Sequence, residues 1–67
     1  MRTWLKNLRI SKKLTQEDMA KAVGVDLTSI GKYELGLRSP TVKTAKKIAD
    51  ILNFDWTRFY ENEDQAS

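Results

Sequence analysis

Residues 14–36 of the chain read LTQEDMAKAVGVDLTSIGKYELG and contain the same set of helix signals twice. Thr15 and Asp26 can each cap a helix N-terminus, because their side-chain oxygens accept hydrogen bonds from backbone N–H groups of the first turn. Gly24 and Gly36 can each adopt the left-handed conformation that ends a helix. The stretch therefore predicts two short helices, the first ending at Gly24 and the second at Gly36, joined by a very tight turn.

Two helices joined by so tight a turn must cross at a steep angle, which requires a small residue where they meet and apolar residues around the crossing. Ala20, Gly24 and Ile30 meet these requirements. We expect all three to be structural, with the later helix of the pair running from about Leu27 to Leu35.

Helical spacing of apolar residues extends on both sides of this unit, and no segment alternates with the period of a strand. An earlier helix is predicted from about Arg2 to Lys12. Pro40 suits the first turn of a fourth helix capped by Ser39 or Thr41. Asp55 can cap a short last helix. The apolar stripe of the fourth helix comprises Val42, Ala45, Ile48, Ala49 and Leu52. The chain is predicted to be all-α, a compact bundle of about five helices.

With 67 residues the chain is long enough for one domain. We expect residues 1–60 to form it and the acidic residues 61–67, which lack an apolar anchor, to be a frayed tail. The absence of Cys and His excludes disulfides and leaves no ligand set typical of zinc or iron. No run approaches the roughly 20 apolar residues of a membrane span, and the start is too interrupted for a secretory signal. A cytoplasmic location is expected.

An enzyme is not expected, because the sequence has no His, no Cys and no glycine-rich phosphate loop. The neighbouring carboxylates Glu17 and Asp18 diverge on a helix, and the positive end of the helix dipole explains them. No cofactor, metal or small-molecule ligand is therefore predicted.

Charge is distributed unevenly along the chain. Residues 1–47 hold eleven Lys or Arg against four Asp or Glu, a net charge of +7, whereas residues 48–67 have a net charge of −4. A basic body suggests a polyanionic partner, since phosphate contacts supply most sequence-independent affinity for DNA. The alternative is that these lysines merely solvate helix surfaces.

Several motifs occur in a fixed order: Leu14-Thr15-Gln16, the spacing from Ala20 to Gly24, Ile30, Glu34 with Gly36, and Pro40 before the apolar fourth helix. In this order they resemble the DNA-binding domain of the Cro and phage-repressor family, also called the xenobiotic-response-element (XRE) family. The resemblance covers about Leu5 to Tyr60. It implies a lambda-repressor-like bundle with a central helix-turn-helix, whose third helix enters the major groove of double-stranded DNA.

The resemblance also implies roles for individual residues. Gln16 matches a residue that binds a phosphate, and Arg9 with Glu34 matches an ion pair between the first and third helices. The whole DNA-binding set carried over comprises Gln16, Leu27, Thr28, Lys32, Arg38 and Lys43, of which Leu27, Thr28 and Lys32 match the base-reading face.

Two of these residues, Gln16 and Leu27, have a second interpretation, and so does Gly31 within the third helix. Gln16 could serve only as a good helix former. Leu27 could contact a thymine methyl group or simply cover the protein surface. Gly31 costs helix stability and could allow close approach of DNA or of a neighbouring helix, or could have no role.

The function expected is that of a sequence-specific transcriptional regulator, a repressor that occupies a two-fold symmetric operator as a homodimer. Phe54 and Phe59 are expected to face the core, which leaves the last helix to supply the dimer interface through Trp56, Arg58 and Tyr60. Alternatively, Trp56 closes the core of a monomer. The alternative function is a protein-interaction module, such as an antitoxin or accessory subunit, that uses the same helix-turn-helix.

Overall fold

The computed structural model describes residues 1–61 of the chain. Four α-helices and one short 3-10 helix follow one another: α1 (Thr3–Ser11), α2 (Gln16–Val23), α3 (Leu27–Leu35), α4 (Val42–Leu52) and η1 (Trp56–Tyr60). Residues 1–61 contain no strand, so the prediction of an all-α bundle is confirmed. The predicted tail, apart from Glu61, lies outside the described residues.

Thr15 caps α2 as the sequence predicts. Its hydroxyl accepts a hydrogen bond from the Asp18 backbone N–H at 3.0 Å, and the Asp18 carboxylate accepts one from the Thr15 backbone N–H at 2.9 Å. The hydrogen bond from the Thr15 backbone N–H lowers the pKa of Asp18 below its ordinary value, and the Thr15 side chain lowers this pKa further by a smaller amount. This reciprocal pair satisfies two donors at the helix start.

Asp26 stands at the N-cap of α3 with an extended backbone, but its side chain accepts no capping hydrogen bond from the helix. The predicted position is therefore right and the predicted bond is absent. Both helices of the unit end on glycines in the left-handed region, Gly24 with a φ of 85° and Gly36 with a φ of 78°.

The start of α4 has one of the two predicted caps but differs from the prediction at Pro40. Thr41, not Ser39, is the cap, and its hydroxyl accepts from the Thr44 backbone N–H at 3.3 Å. Pro40 precedes the cap and so lies outside the first turn. Val42 is wrongly placed in the apolar stripe, since it is 48% exposed. Side chains on a helix lean toward its N-terminus, which carries the first residue of α4 past the edge of the core.

The core lies between α1, α2, α3, α4 and η1. Three aromatic rings pack at one end of it, with centroids 5.1 Å apart for Trp4 and Phe54, and 5.5 Å apart for Phe59 with either of them. Phe54 and Phe59 therefore face the core, as expected. The buried core residues are Leu5, Met19, Ala20, Val23, Ile30, Tyr33, Ala45, Ile48, Leu52 and Phe59.

Candidate nucleic-acid interface

The turn between α2 and α3 is held by backbone hydrogen bonds within the unit. The N–H groups of Gly24 and Val25 both donate to the Ala20 carbonyl, at 2.8 and 3.0 Å. Ala20 and Ile30 are buried in the common core. The short turn and the shared core hold α3 against α2, with one face of α3 directed outward.

That outward face of α3 carries the three side chains expected to read bases. Thr28 and Lys32, one turn apart, are exposed, and Leu27 is 50% exposed at the start of the helix. The opposite face of α3 is buried through Ile30, Tyr33 and Glu34. A helix buried on one side and presenting a leucine, a hydroxyl and an ammonium on the other is suited to contact base edges.

Gln16 begins α2 and is half-buried against α3. Its Nε2 atom donates to Glu34 Oε1 at 3.1 Å. A Cβ atom added at Gly31 would lie 3.9 Å from the Gln16 amide, an ordinary contact, so packing against α2 does not require glycine there. Because the amide nitrogen carries two hydrogens, Gln16 keeps one for a further acceptor beside the start of α2.

The carboxylate of Glu34 joins three helices. Arg9 Nε donates to Glu34 Oε2 at 2.6 Å and Arg9 Nη2 to Oε1 at 3.3 Å, while Arg9 Nη1 donates to the Leu14 carbonyl at 2.8 Å. Arg9 is 9% and Glu34 4% exposed. The ion pair implied by the resemblance is thus formed, and the same carboxylate orients Gln16.

Arg38 and Lys43, expected at the other phosphate flank, are both exposed. Arg38 lies in the loop of residues 36–41 between α3 and α4, and Lys43 is the second residue of α4. Residues 36–41 follow directly from the C-terminus of α3. The position of Arg38 relative to α3 therefore depends on how this loop is held.

Arg2 holds that loop, and the sequence reasoning missed it. Its Nη1 atom donates to the carbonyls of Tyr33 at 2.7 Å and Arg38 at 3.0 Å, and its Nη2 atom donates to Ser39 Oγ at 2.8 Å. Its backbone N–H donates to the Glu34 carbonyl at 2.8 Å. The partners lie more than thirty positions away, so no local pattern could have revealed the contact.

The three residues expected at a dimer interface have partners within the chain. Trp56 is half-buried, and its ring packs edge-on against Tyr60 at 6.0 Å. The Arg58 guanidinium lies 4.3 Å from the centre of the Trp4 ring. Tyr60 is 45% exposed and its hydroxyl donates to the Pro40 carbonyl at 2.6 Å. The exposed ring of Tyr60 is thus the main apolar surface that this set offers to a partner.

Within residues 1–61, no group of three or more carboxylates, His or Cys is placed to hold a metal ion. In the same part of the chain, no helix has the length and apolar character needed to cross a membrane. A surface hollow of about 260 Å³ adjoins Gln16 and Gly31 and is also lined by Lys6, Glu34 and Leu35.

Comparison with known proteins agrees with this geometry. A family model described as helix-turn-helix matches residues 5–59. The chain is 45% identical over 62 residues to YqaF of Bacillus subtilis, which is named an uncharacterized HTH-type transcriptional regulator. The matched residues make up 92% of this chain and 82% of YqaF.

The relatives include proteins named as phage proteins. The transcriptional repressor RstR of the cryptic phage CTXphi in Vibrio cholerae is 46% identical over 48 residues, 72% of this chain and 43% of RstR. The ImmF control region 10 kDa protein of Bacillus phage phi105 is 39% identical over 51 residues, 76% of this chain and 57% of that protein. This chain therefore spans about half the length of these two relatives. No solved structure matches significantly. From its fold, its matched residues and these relatives, the chain belongs to the XRE-type helix-turn-helix family of transcriptional regulators.

Proposed function

We propose that this protein is a sequence-specific regulator of transcription that inserts α3 into the major groove of double-stranded DNA. The observation that carries the proposal is the outward face of α3, with Leu27, Thr28 and Lys32 exposed on a helix whose other side is locked into the core. Residues 1–60 form the DNA-binding unit.

Each exposed side chain has a chemical counterpart in the groove. The Lys32 ammonium is suited to the O6 and N7 acceptors of guanine, the Thr28 hydroxyl to a donor or an acceptor, and the Leu27 side chain to a thymine methyl group. These three contacts confer sequence preference.

Contacts to phosphates position α3 in the groove. Gln16 donates from the start of α2, where the backbone N–H groups of the first turn also favour an anion. Arg38 and Lys43 approach the phosphates on the other side of α3. Their contacts raise affinity for every duplex alike and make binding sensitive to salt.

Repression by occupancy of an operator is the mode of regulation we propose. The phage relative RstR is named a transcriptional repressor. A DNA-binding domain placed on an operator excludes other proteins from the same DNA, so occupancy by itself is sufficient.

We also propose that the protein binds a two-fold symmetric operator as a dimer. One recognition helix reads only a few base pairs, which discriminates poorly against the many competing sites of a genome. Half-sites about one DNA turn, roughly 10 base pairs, apart would suit two copies of α3. The exposed ring of Tyr60, with Trp56 beside it, offers a small surface to a second copy, so the free dimer is weak and forms mainly on DNA.

Selection from a random duplex pool tests the proposal. We expect enrichment of a two-fold symmetric sequence and affinity that falls steeply with salt. Failure to enrich any sequence would contradict the proposal and favour the protein-interaction module. Trp56→Ala together with Tyr60→Ala should weaken binding to the full site more than to an isolated half-site. Equal losses, or selection of a single asymmetric half-site, would contradict the dimer alone.

A further inference from the structure

The loop of residues 36–41 is held by both ends of the described chain. It carries Arg38, which the proposed function places against a phosphate, and it has no regular structure after Gly36. Three of its residues, Arg38, Ser39 and Pro40, accept hydrogen bonds from side chains outside the loop.

Arg2 supplies the contact from the N-terminal side. Its guanidinium joins the C-terminus of α3, through the Tyr33 carbonyl, to the carbonyl of Arg38 and the hydroxyl of Ser39. A cation at this position is also favoured by the negative end of the α3 dipole. The planar fork of an arginine can donate to all three acceptors at once, which a lysine ammonium on its single stem reproduces poorly.

Tyr60 supplies the contact from the C-terminal side. Its hydroxyl donates to the Pro40 carbonyl at 2.6 Å, while its ring packs edge-on against Trp56 within η1. The two contacts meet the loop at neighbouring residues from opposite ends of the chain.

We propose that Arg2 and Tyr60 are positioning residues for DNA binding, which hold residues 37–40 in the conformation that presents Arg38 to a phosphate. The inference rests on the proposed function. A loop that is ordered before binding does not lose its conformational entropy on binding, so affinity rises. We infer that Arg2 acts through Arg38, because three of its guanidinium hydrogens are already donated to acceptors within the protein.

Affinity for an isolated half-site, chosen so that dimer contacts do not contribute, tests the inference. Arg2→Lys keeps the charge and Tyr60→Phe keeps the ring. Each should lower affinity about three- to tenfold, the range that corresponds to the net loss of a hydrogen bond. Lys47→Arg is the matched control, since Lys47 is exposed on α4 and has no contact in the proposed function, and it should bind as the parent does.

A double-mutant cycle identifies the route of the effect. In an Arg38→Ala background, the losses caused by Arg2→Lys and Tyr60→Phe should shrink to less than about twofold, because the side chain that they position is gone. Losses that persist in full in that background would overturn the inference. A second result would also overturn the inference: Arg2→Lys binds as the parent does, and only Arg2→Ala weakens the dependence of affinity on salt. That result would mean that Arg2 contacts a phosphate directly.

Two further measurements keep the result independent of folding and of the proposed function. Ser39→Ala leaves Arg2 intact and removes one acceptor, so it should give a smaller loss that also disappears in the Arg38→Ala background. In the free protein, NMR order parameters of residues 37–39 should fall in Arg2→Lys and Tyr60→Phe. Unchanged order parameters would refute the positioning role, whereas failure of the parent to bind any duplex would refute the proposed function itself.

Discussion

The turn between α2 and α3 and the loop between α3 and α4 both begin at a left-handed glycine, yet they are held in different ways. The first is fixed by hydrogen bonds from Gly24 and Val25 to Ala20, all within one short segment. The second depends on Arg2 and Tyr60, which lie at opposite ends of the described chain. In a domain this small, the connection at the start of α3 is therefore set locally and the connection at its end by distant residues.

The Glu34 carboxylate connects α3 to α1 and α2, and removing it should have the largest effect. Glu34→Ala leaves the buried guanidinium of Arg9 without its ion pair and removes the hydrogen bond that orients Gln16. Leaving one buried charge unpaired typically costs about 3–5 kcal/mol. We expect thermal denaturation, followed by circular dichroism, to show a large loss of stability or no folded state.

Glu17→Ala is the matched control for that experiment. Its ion pair with Lys21 is 3.6 Å long between side chains that are 67% and 77% exposed. Such surface pairs contribute about 0–1 kcal/mol. Comparable losses in the two variants would contradict the assignment of Glu34 as the junction of three helices.

The crossing of α2 and α3 can be broken at Ala20. Ala20→Leu forces a larger side chain into the buried contact, and overpacking of this kind costs about 1–3 kcal/mol. Ala22→Leu makes the same change at an exposed position of the same helix and should leave the unfolding free energy nearly unchanged. Equal stability of the two variants in chemical denaturation would mean that the helices do not cross at Ala20.

Substitutions at Gly24 and Gly36 test whether the turn and the loop are restrained differently. A left-handed conformation costs an L-residue about 1–2 kcal/mol, so both Gly24→Ala and Gly36→Ala should destabilise. Open space surrounds the added Cβ at Gly24, whereas at Gly36 it would lie 3.2 Å from the Met1 backbone nitrogen. We therefore expect Gly36→Ala to lower the melting temperature more. A larger decrease for Gly24→Ala would show that the N-terminal segment does not restrain the loop.

The sequence predicted the features that depend on neighbouring residues. The helix ends at Thr15, Gly24 and Gly36 are where they were expected, because a cap or a left-handed glycine acts within a few positions. The prediction that Pro40 lies in the first turn of α4 was wrong, since a proline is accepted just before a cap as well as just after it. The prediction that Val42 belongs to the buried stripe of α4 was wrong because periodicity alone does not show where a core ends.

In the candidate interface, too, the features set by neighbouring residues could be predicted and the contacts between distant residues could not. The outward face of α3 follows from helical spacing once Ile30 is taken to be buried. The hydrogen bonds of Arg2 and Tyr60 to the loop could not be predicted, because each joins residues twenty or more positions apart and has no periodic signature. The DNA contacts of Gln16, Leu27, Thr28, Lys32, Arg38 and Lys43 stay predictions.

If α3 reads bases while its flanks bind phosphates, selection of bound duplexes with two alanine variants should separate the two kinds of contact. Lys32→Ala should change the preferred base at one or two positions of each half-site, since a good base contact confers about 1–3 kcal/mol of discrimination. Arg38→Ala should lower affinity for all sequences and leave the consensus unchanged, because phosphates carry no sequence information. A consensus that Lys32→Ala leaves intact at every position would show that α3 does not read bases through Lys32.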